Sequence, residues 1–364
     1  MDLGIIGLAQ SGKTTVFNAV TRGHAQTGVY GAGVEPNIGV VKVPDERLDR
    51  LCAVLKPKKV THADVRYLDF PGAPAFGRGG GPAAQFLASL AQCDALIHVV
   101  RAFTNEAVPH PEGSIDPHRD IAGMDMELIF ADQGFIERRL ERLDTEVRSM
   151  RPGEREAGER EMALLRRLKE GLEGEKPLRA QSISEDEARM LANYQFLTDK
   201  PLLLVLNIDE GAVGEATKME EEFRARWGGP HVEVAALCGE LEMELTELSD
   251  EDAAVFRADM GLSESGLDRM IRLSYELLGL LSFFTVNPEE GRAWTIRRGT
   301  PAVVAAGKVH SDMERGFIRA EVIGWEELME CGSLAEARKR GMVRTEGKSY
   351  PAQDGEVLHI LFNV

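Results

Sequence analysis

Three shortages narrow the field before any motif is read. The 364-residue chain has only four cysteines, Cys52, Cys93, Cys238 and Cys331, far apart and with no CxxC pair. That pattern argues against a disulfide framework or a zinc site and fits reduced thiols. Basic residues are also scarce: 43 lysines and arginines against 60 acidic residues leave a formal net charge of −17. Broad wrapping of DNA or RNA needs a basic surplus, which argues against that class of partner, although a local basic face remains open. Long apolar runs are missing as well. The longest, LLLVLNI from Leu202, is far too short to span a bilayer, so no membrane partner is expected. Met1-Asp2 leads straight into an apolar strand, as expected of a chain without a secretory leader, and the cytoplasm is the expected compartment. The length leaves room for two or three domains.

What is present begins at Leu3, in LGIIGLAQSGKTTVFNAV. Gly7 to Thr14 match GxxxxGK[ST] in full, between a buried strand and a helix that carries Val16, Phe17 and Val20 on one side. The loop must curl so that backbone amides from Ala9, Gln10, Ser11, Gly12, Lys13, Thr14 and Thr15 face a phosphate at the helix N-terminus. Gly7 and Gly12 permit that curl. Lys13 would reach the β- and γ-phosphates, and the Thr14 hydroxyl would ligate Mg2+. A second strand runs into Asp69-Phe70-Pro71-Gly72, a DxxG in which Asp69 would hold the same ion through a water and the Gly72 amide would sense the γ-phosphate. A third strand, Ala95 to Arg101, is apolar almost throughout, as in a parallel sheet buried on both faces. His98 within it reads as a satisfied strand-end side chain.

Leu202 to Leu206 read as another buried strand, ending in Asn207-Ile208-Asp209-Glu210. GTPases carry NKxD here, and its aspartate accepts two protons from guanine. This chain lacks the lysine and places the final carboxylate one methylene further out. Hydrogen-bond readout depends on a matched group, so guanine selection should weaken. Asn207, Ile208 and Glu210 are therefore the expected base-binding residues, with ATP at least as favoured as GTP.

Between the third strand and NIDE, Phe135, Leu140, Leu143, Val147 and Met150 descend at helical spacing, and Met162, Leu165, Leu168 and Leu172 return. Arg151 to Glu154 form the expected turn of an antiparallel coiled-coil hairpin. Its charged flanks read as solvated faces, or as an arginine-rich tip touching RNA phosphates. Beyond about Leu278 the pattern shifts to short strands, at Ala293 to Ile296, Phe317 to Val322 and Val357 to Phe362, with Gly355 supplying a turn. Arg297, Arg298, Lys308 and Arg319 read either as a local basic face there or as the scattered surface charge of a docked domain, and His310 and His359 read as structural.

Taken together, GLAQSGKTT, VEPNIGVVKVPDERLDRL, DFPG, QFLASLAQCDALIHVVRAF, IDPHRDI, NIDE, ESGLDRMIRLSYELLGLLSFFT, RAWTIRRGT, GFIRAEVI and DGEVLHILFNV resemble the Obg-like ATPase family, YchF type, nearly end to end. The resemblance implies an α/β P-loop G-domain fold with a mostly parallel sheet, an inserted helical hairpin and a C-terminal β-grasp (TGS) domain. The corresponding boundaries are 1–125 with 198–277, then 126–197, then 278–364. It also implies preferential ATP binding, weak hydrolysis and association with the ribosome or its RNA. His110, in VPHPEGSIDPHRDI, matches the family's loop histidine and is the candidate catalytic residue, able to orient water near neutral pH, the alternative being a solvent-exposed loop histidine.

Four departures bear on catalysis. Gly33 stands where the family usually has a magnesium-completing threonine; Gln10-Ser11 replace asparagine-valine; DFPG replaces DIAG; and GRGGG at Gly77 to Gly81 replaces a lysine-containing loop. Ala73, directly after DxxG, supplies no water-orienting glutamine, as in the family. Slow intrinsic turnover is the expectation. A nucleotide-sensing adaptor without useful hydrolysis and a GTP-specific GTPase are the alternatives.

Overall fold

The computed structural model describes residues 1–23, 36–70, 82–149, 151–262 and 264–363. The expectations placed on Gly33, Gly72, Ala73, the glycine run at 77–81 and Met150 lie outside the described residues.

In chain order the first strands are β1 (Asp2–Ile6), β2 (Asn37–Lys42), β3 (Lys59–Thr61), β4 (Asp64–Asp69), β5 (Ala95–Ala102) and β6 (Leu202–Ile208). They are followed by β7 (Val232–Leu237), β8 (Leu280–Val286), β9 (Glu290–Arg297), β10 (Phe317–Gly324), β11 (Arg344–Glu346) and β12 (Glu356–Phe362). Among the described residues they form two sheets, ordered β2-β4-β1-β5-β6-β7 and β11-β10-β12-β8-β9-β3. In the first, β1 pairs parallel with both β4 and β5, and the parallel ladder continues through β6 to β7. The chain leaves β1 in the middle of the sheet, and later strands add on either side. That is the switch point at which open α/β sheets bind ligands, outside the carboxyl ends of the strands. β6 is buried along its whole length, which is why it reads as an uninterrupted apolar run. Leu202, Leu204, Leu206 and Ile208 join one core cluster with Ile6, Leu68, Leu96 and Val100.

Two clusters of contacts divide the chain. One compact unit comprises Met1–Gly39 and Arg66–Met270, the other Val40–Val65 and Ile271–Val364. This differs from the boundaries expected from sequence, which leave residues 40–65 with the nucleotide-binding domain. In the structure β3 pairs parallel with β9, and the helix of Glu46–Leu55 packs so closely on β9 that a β-carbon on Gly291 would stand 2.4 Å from Cys52 Sγ. Arg47 pairs with Asp354 at 2.7 Å, and Arg50 lies over the Trp325 ring at 5.3 Å. Local periodicity carries no sign of such distant partners. The second unit's core gathers Leu281, Phe283, Ile296, Phe317, Val322 and Leu358 around a helix at Ala302–Val309 that the sequence pattern does not announce. The helix is short and alanine-rich, with little amphipathic contrast.

The hairpin lies in the first unit. Its long helix, Pro117–Val147, starts on Asp116, whose carboxylate accepts the Arg119 amide at 3.1 Å, with proline at the first helical position. The return helix is Pro152–Glu173, so Pro152, Gly153 and Glu154, expected in the turn, belong to the helix. The expected seam is present from Leu140 onward, with Leu143, Val147, Met162, Leu165, Leu168 and Leu172 in one core, and it departs from expectation at Phe135. Ile129, Ile136 and Leu143, seven residues apart, are fully buried against Leu165 and Leu168. Phe135 is instead 41 % exposed and meets Tyr194 and Phe196 edge-on. At the hairpin base the buried Asp132 carboxylate accepts the Leu197 and Thr198 amides and the Thr198 hydroxyl, at 2.9, 2.7 and 2.7 Å. Burial outweighs those three donors and pushes its pKa up to about 6. All four cysteines are free and buried. No described helix is long and apolar enough to cross a membrane.

Candidate functional site

The carboxyl ends of the parallel strands bring the sequence motifs together. The glycine loop leaves β1 at Gly7. Asp69 ends β4 beside it, in register with Ile5, and Arg101 on β5 is opposite Asn207 on β6. Within the loop Gly7, Gln10 and Gly12 have φ of 147°, 61° and 87°. Gly12 immediately precedes the helix Lys13–Thr21, whose first amides are therefore open to an anion. Its missing side chain has a specific cause: a β-carbon there would stand 2.2 Å from Asn207 Nδ2.

Lys13 folds back over the loop and donates from Nζ to the Gly7 and Leu8 carbonyls at 2.9 and 2.7 Å. Burial lowers its pKa from 10.5 to about 8, partly opposed by Asp69. The ammonium is thus held by neutral carbonyls, a partnership that a phosphate oxygen would improve on. Thr14 donates its hydroxyl proton to Asp69 Oδ2 at 2.9 Å, and Asn37 Nδ2 reaches the same oxygen at 3.3 Å. Burial raises the Asp69 pKa, opposed by those two donors and by Lys13. The other carboxylate oxygen, Oδ1, is buried and has no hydrogen-bond partner among the described residues. The Thr14 hydroxyl and the Asp69 carboxylate, one of whose oxygens is buried and unsatisfied, form a hard-oxygen donor set that fits Mg2+, an ion that normally keeps waters and phosphates as its remaining ligands.

Ser11 Oγ is likewise buried without a partner among the described residues, although its carbonyl accepts Asn207 Nδ2 at 3.1 Å. A buried hydroxyl that bonds to nothing costs free energy, so Ser11→Ala should raise stability by up to about 1 kcal/mol. Matched urea melts test this; a loss of 1 kcal/mol or more would show that the hydroxyl has a partner.

The base-reading corner differs from the expectation at two of its three residues. Asn207 is buried and brackets the site, donating to Ser11 O and accepting the Gly239 amide at 3.0 Å. One Nδ2 proton is left over for a ligand. Ile208 points the other way. Successive strand residues alternate faces, and Ile208 is 1 % exposed, inside the apolar core with Leu206. Its side chain therefore cannot line the slot that Asn207 faces. Glu210 is exposed, at the start of the turn Glu210–Glu215. The engaged carboxylate is that of Asp209, which accepts both the amide and the hydroxyl of Thr104 at 3.1–3.4 Å.

His110 also departs from its expected role. Nε2 lies 2.9 Å from Asp120 Oδ2 and Nδ1 accepts the Glu112 amide at 3.1 Å. Its side chain is 3 % exposed. Both ring nitrogens are committed to fastening the loop to the start of the helix Pro117–Val147, and neither is free to orient water. His98 is not satisfied either: it is wholly buried, its Nε2 has no partner among the described residues, and burial lowers its pKa to about 3. It is a neutral core side chain.

Sequence reading missed Asn37, Phe103 and Asp209. Asn37 and Asp209 lie inside quoted motifs, VEPN and NIDE. Phe103 follows the third strand in VVRAF, and a β-carbon on Gly12 would lie 3.7 Å from its ring.

Residues 2–132 match the MMR_HSR1 family, described as 50S ribosome-binding GTPase, and residues 280–363 match YchF-GTPase_C, described as a protein of unknown function. The chain is 39 % identical to the ribosome-binding ATPase YchF of Bacillus subtilis, covering 100 % of both chains. It is 37 % identical to that of Haemophilus influenzae, covering 99 % of each. The solved structure of the Schizosaccharomyces pombe YchF GTPase superimposes with a TM-score of 0.84 at 30 % identity, over 99 % of this chain and 97 % of that one. With a P-loop G-domain fold, a phosphate loop and DxxG aspartate brought together at its switch point, and full-length relatives of this similarity, the chain belongs to the YchF family.

Proposed function

We propose that the protein binds ATP with Mg2+ and hydrolyses it slowly, as a nucleotide-dependent switch that associates with the ribosome in the cytoplasm. The observation that carries the reading is the Lys13–Thr14–Asp69 set, complete at one end of a site whose other end lacks a guanine-reading carboxylate. The loop amides and Lys13 would hold the triphosphate. Thr14 and Asp69 would hold Mg2+, which when bound supplies charge stabilisation across the β- and γ-phosphates. Phe103 and Asn207 would flank the purine. The relatives' names, ribosome-binding ATPase, support both the nucleotide and the partner.

Turnover without a partner should be slow because His110 is tied to Asp120, leaving the attacking water unordered by that ring. Ribosome binding is expected to accelerate phosphate release. The test is titration calorimetry with ATP and GTP, followed by single-turnover phosphate release with and without ribosomes. ATP binding at least as tight as GTP binding, with release stimulated by ribosomes, supports the proposal. Markedly tighter GTP binding would reassign the protein as a GTPase; ATP binding with no release under either condition would make it an adaptor.

A further inference from the structure

The loop after β5 is anchored from two sides, by Arg101 and by Asp209. Arg101, 2 % exposed, sits beneath it with no carboxylate partner among the described residues, and its Nη1 is buried without a hydrogen-bond partner among them. Its guanidinium donates to three carbonyls of that loop: Phe103 at 3.3 Å, Asn105 at 3.4 Å and Val108 at 2.8 Å. The same group lies 4.6 Å from the centre of the Phe103 ring. A buried cation is tolerated only while those acceptors stay in place, so the charge penalises any movement of the loop. From the side, Asp209 takes both the amide and the hydroxyl of Thr104. Between these two anchors stands Phe103, beside Gly12 and Asn207.

We infer that Arg101 and Asp209 are positioning residues that fix Phe103 as one wall of the purine slot, so that base affinity rests on a held aromatic plane. The inference rests on the nucleotide-binding reading above. Asp209 acts through Thr104, and Arg101 through the loop carbonyls and the ring. Neither needs to touch the nucleotide. An aromatic plane accepts any purine face and discriminates weakly between them. That agrees with a site lacking a matched guanine carboxylate.

The anchors bear on the base and not on the phosphates, which separates this inference from a general structural role. Calorimetry of the full chain with magnesium would compare ATP with inorganic tripolyphosphate, which has phosphates but no base. Asp209→Ala and Arg101→Lys should each weaken ATP binding by about tenfold and leave tripolyphosphate within about twofold. Asp209→Asn should restore part of the loss, since its amide oxygen still accepts the Thr104 amide. Thr104→Val, which removes only the hydroxyl, should fall between, and decides the matter where Asp209→Ala does not fold. Unchanged ATP affinity in these variants, or equal losses for both ligands, would overturn the assignment. Failure of the unaltered protein to bind ATP would instead sink the parent reading.

Discussion

Lys13→Ala protein is expected to lose ATP affinity by on the order of a hundredfold or more while keeping its thermal stability. The two outcomes separate because the side chain is a liability until a phosphate arrives. Its ammonium is held by two loop carbonyls and its pKa has fallen to about 8. Between pH 8 and the ordinary value of 10.5 the unfolded chain holds more protons at this residue than the folded one does. The residue's contribution therefore favours folding increasingly as pH rises through that window. Below it, the buried charge opposes folding, and removing the charge has no reason to destabilise the protein. Binding has the opposite sign. A triphosphate favours the charged amine, so above pH 8 binding must take up a proton, and affinity should fall towards about tenfold per pH unit. Calorimetry at several pH values, in buffers of different ionisation enthalpy, reads both the slope and the proton. Lys13→Ala protein with wild-type affinity, or a pH slope that survives the substitution, would show that another group grips the phosphate.

Gly7→Ala, a few residues upstream, should instead damage the fold. An added β-carbon would stand 2.3 Å from the Val99 carbonyl oxygen, at a φ of 147° that side chains rarely adopt. The obstacle is backbone of a central strand, buried and hydrogen-bonded on both sides, with no rotamer to swing away. The loss should reach about 3–5 kcal/mol, the range of severe overpacking combined with backbone strain. Gly113→Ala provides the comparison: its φ is 77° but nothing lies within 4 Å, so only the conformational cost of about 1 kcal/mol applies. Equilibrium urea unfolding of the two variants separates the terms. Equal small losses would mean that β1 and β5 yield, and that the loop's origin is less rigid than the packing implies.

These variants probe the part of the molecule that was most legible in advance. Phosphate loop, DxxG and the parallel strands announce themselves because each is local: a short pattern of residue types on a buried apolar run. The hairpin was legible as a hairpin and most of its seam with it, from Leu143 and Val147 to the return arm, yet its first position fell on Phe135 where Ile136 is the buried residue. Phe135 and Ile136 both fit helical spacing, and the choice between them depends on Tyr194 and Phe196, which draw the aromatic ring outwards. At the base corner, alternation along β6 would have separated Asn207 from Ile208 had the strand been extended through both residues. His110 could not be read, because its commitment is set by Asp120 on a helix whose orientation no local pattern reports. The membership of α2 (Glu46–Leu55, the helix after α1, Lys13–Thr21) and of β3 in the second unit was hidden for the same reason.

That last arrangement constrains the order of events during synthesis. Thr61 donates to Glu290, a partner 229 residues further along the chain. A helix and an edge strand made early must therefore wait, the helix with Leu48, Leu51 and Cys52 uncovered and the strand with its ladder unpaired, until most of the polypeptide has emerged. Closing so long a loop slows assembly and prolongs exposure to aggregation. A fragment beginning at Leu278 would inherit the converse defect, a sheet missing its outermost strand and the helix that covers it. The halves are interleaved in the gene, and no single cut yields either one whole.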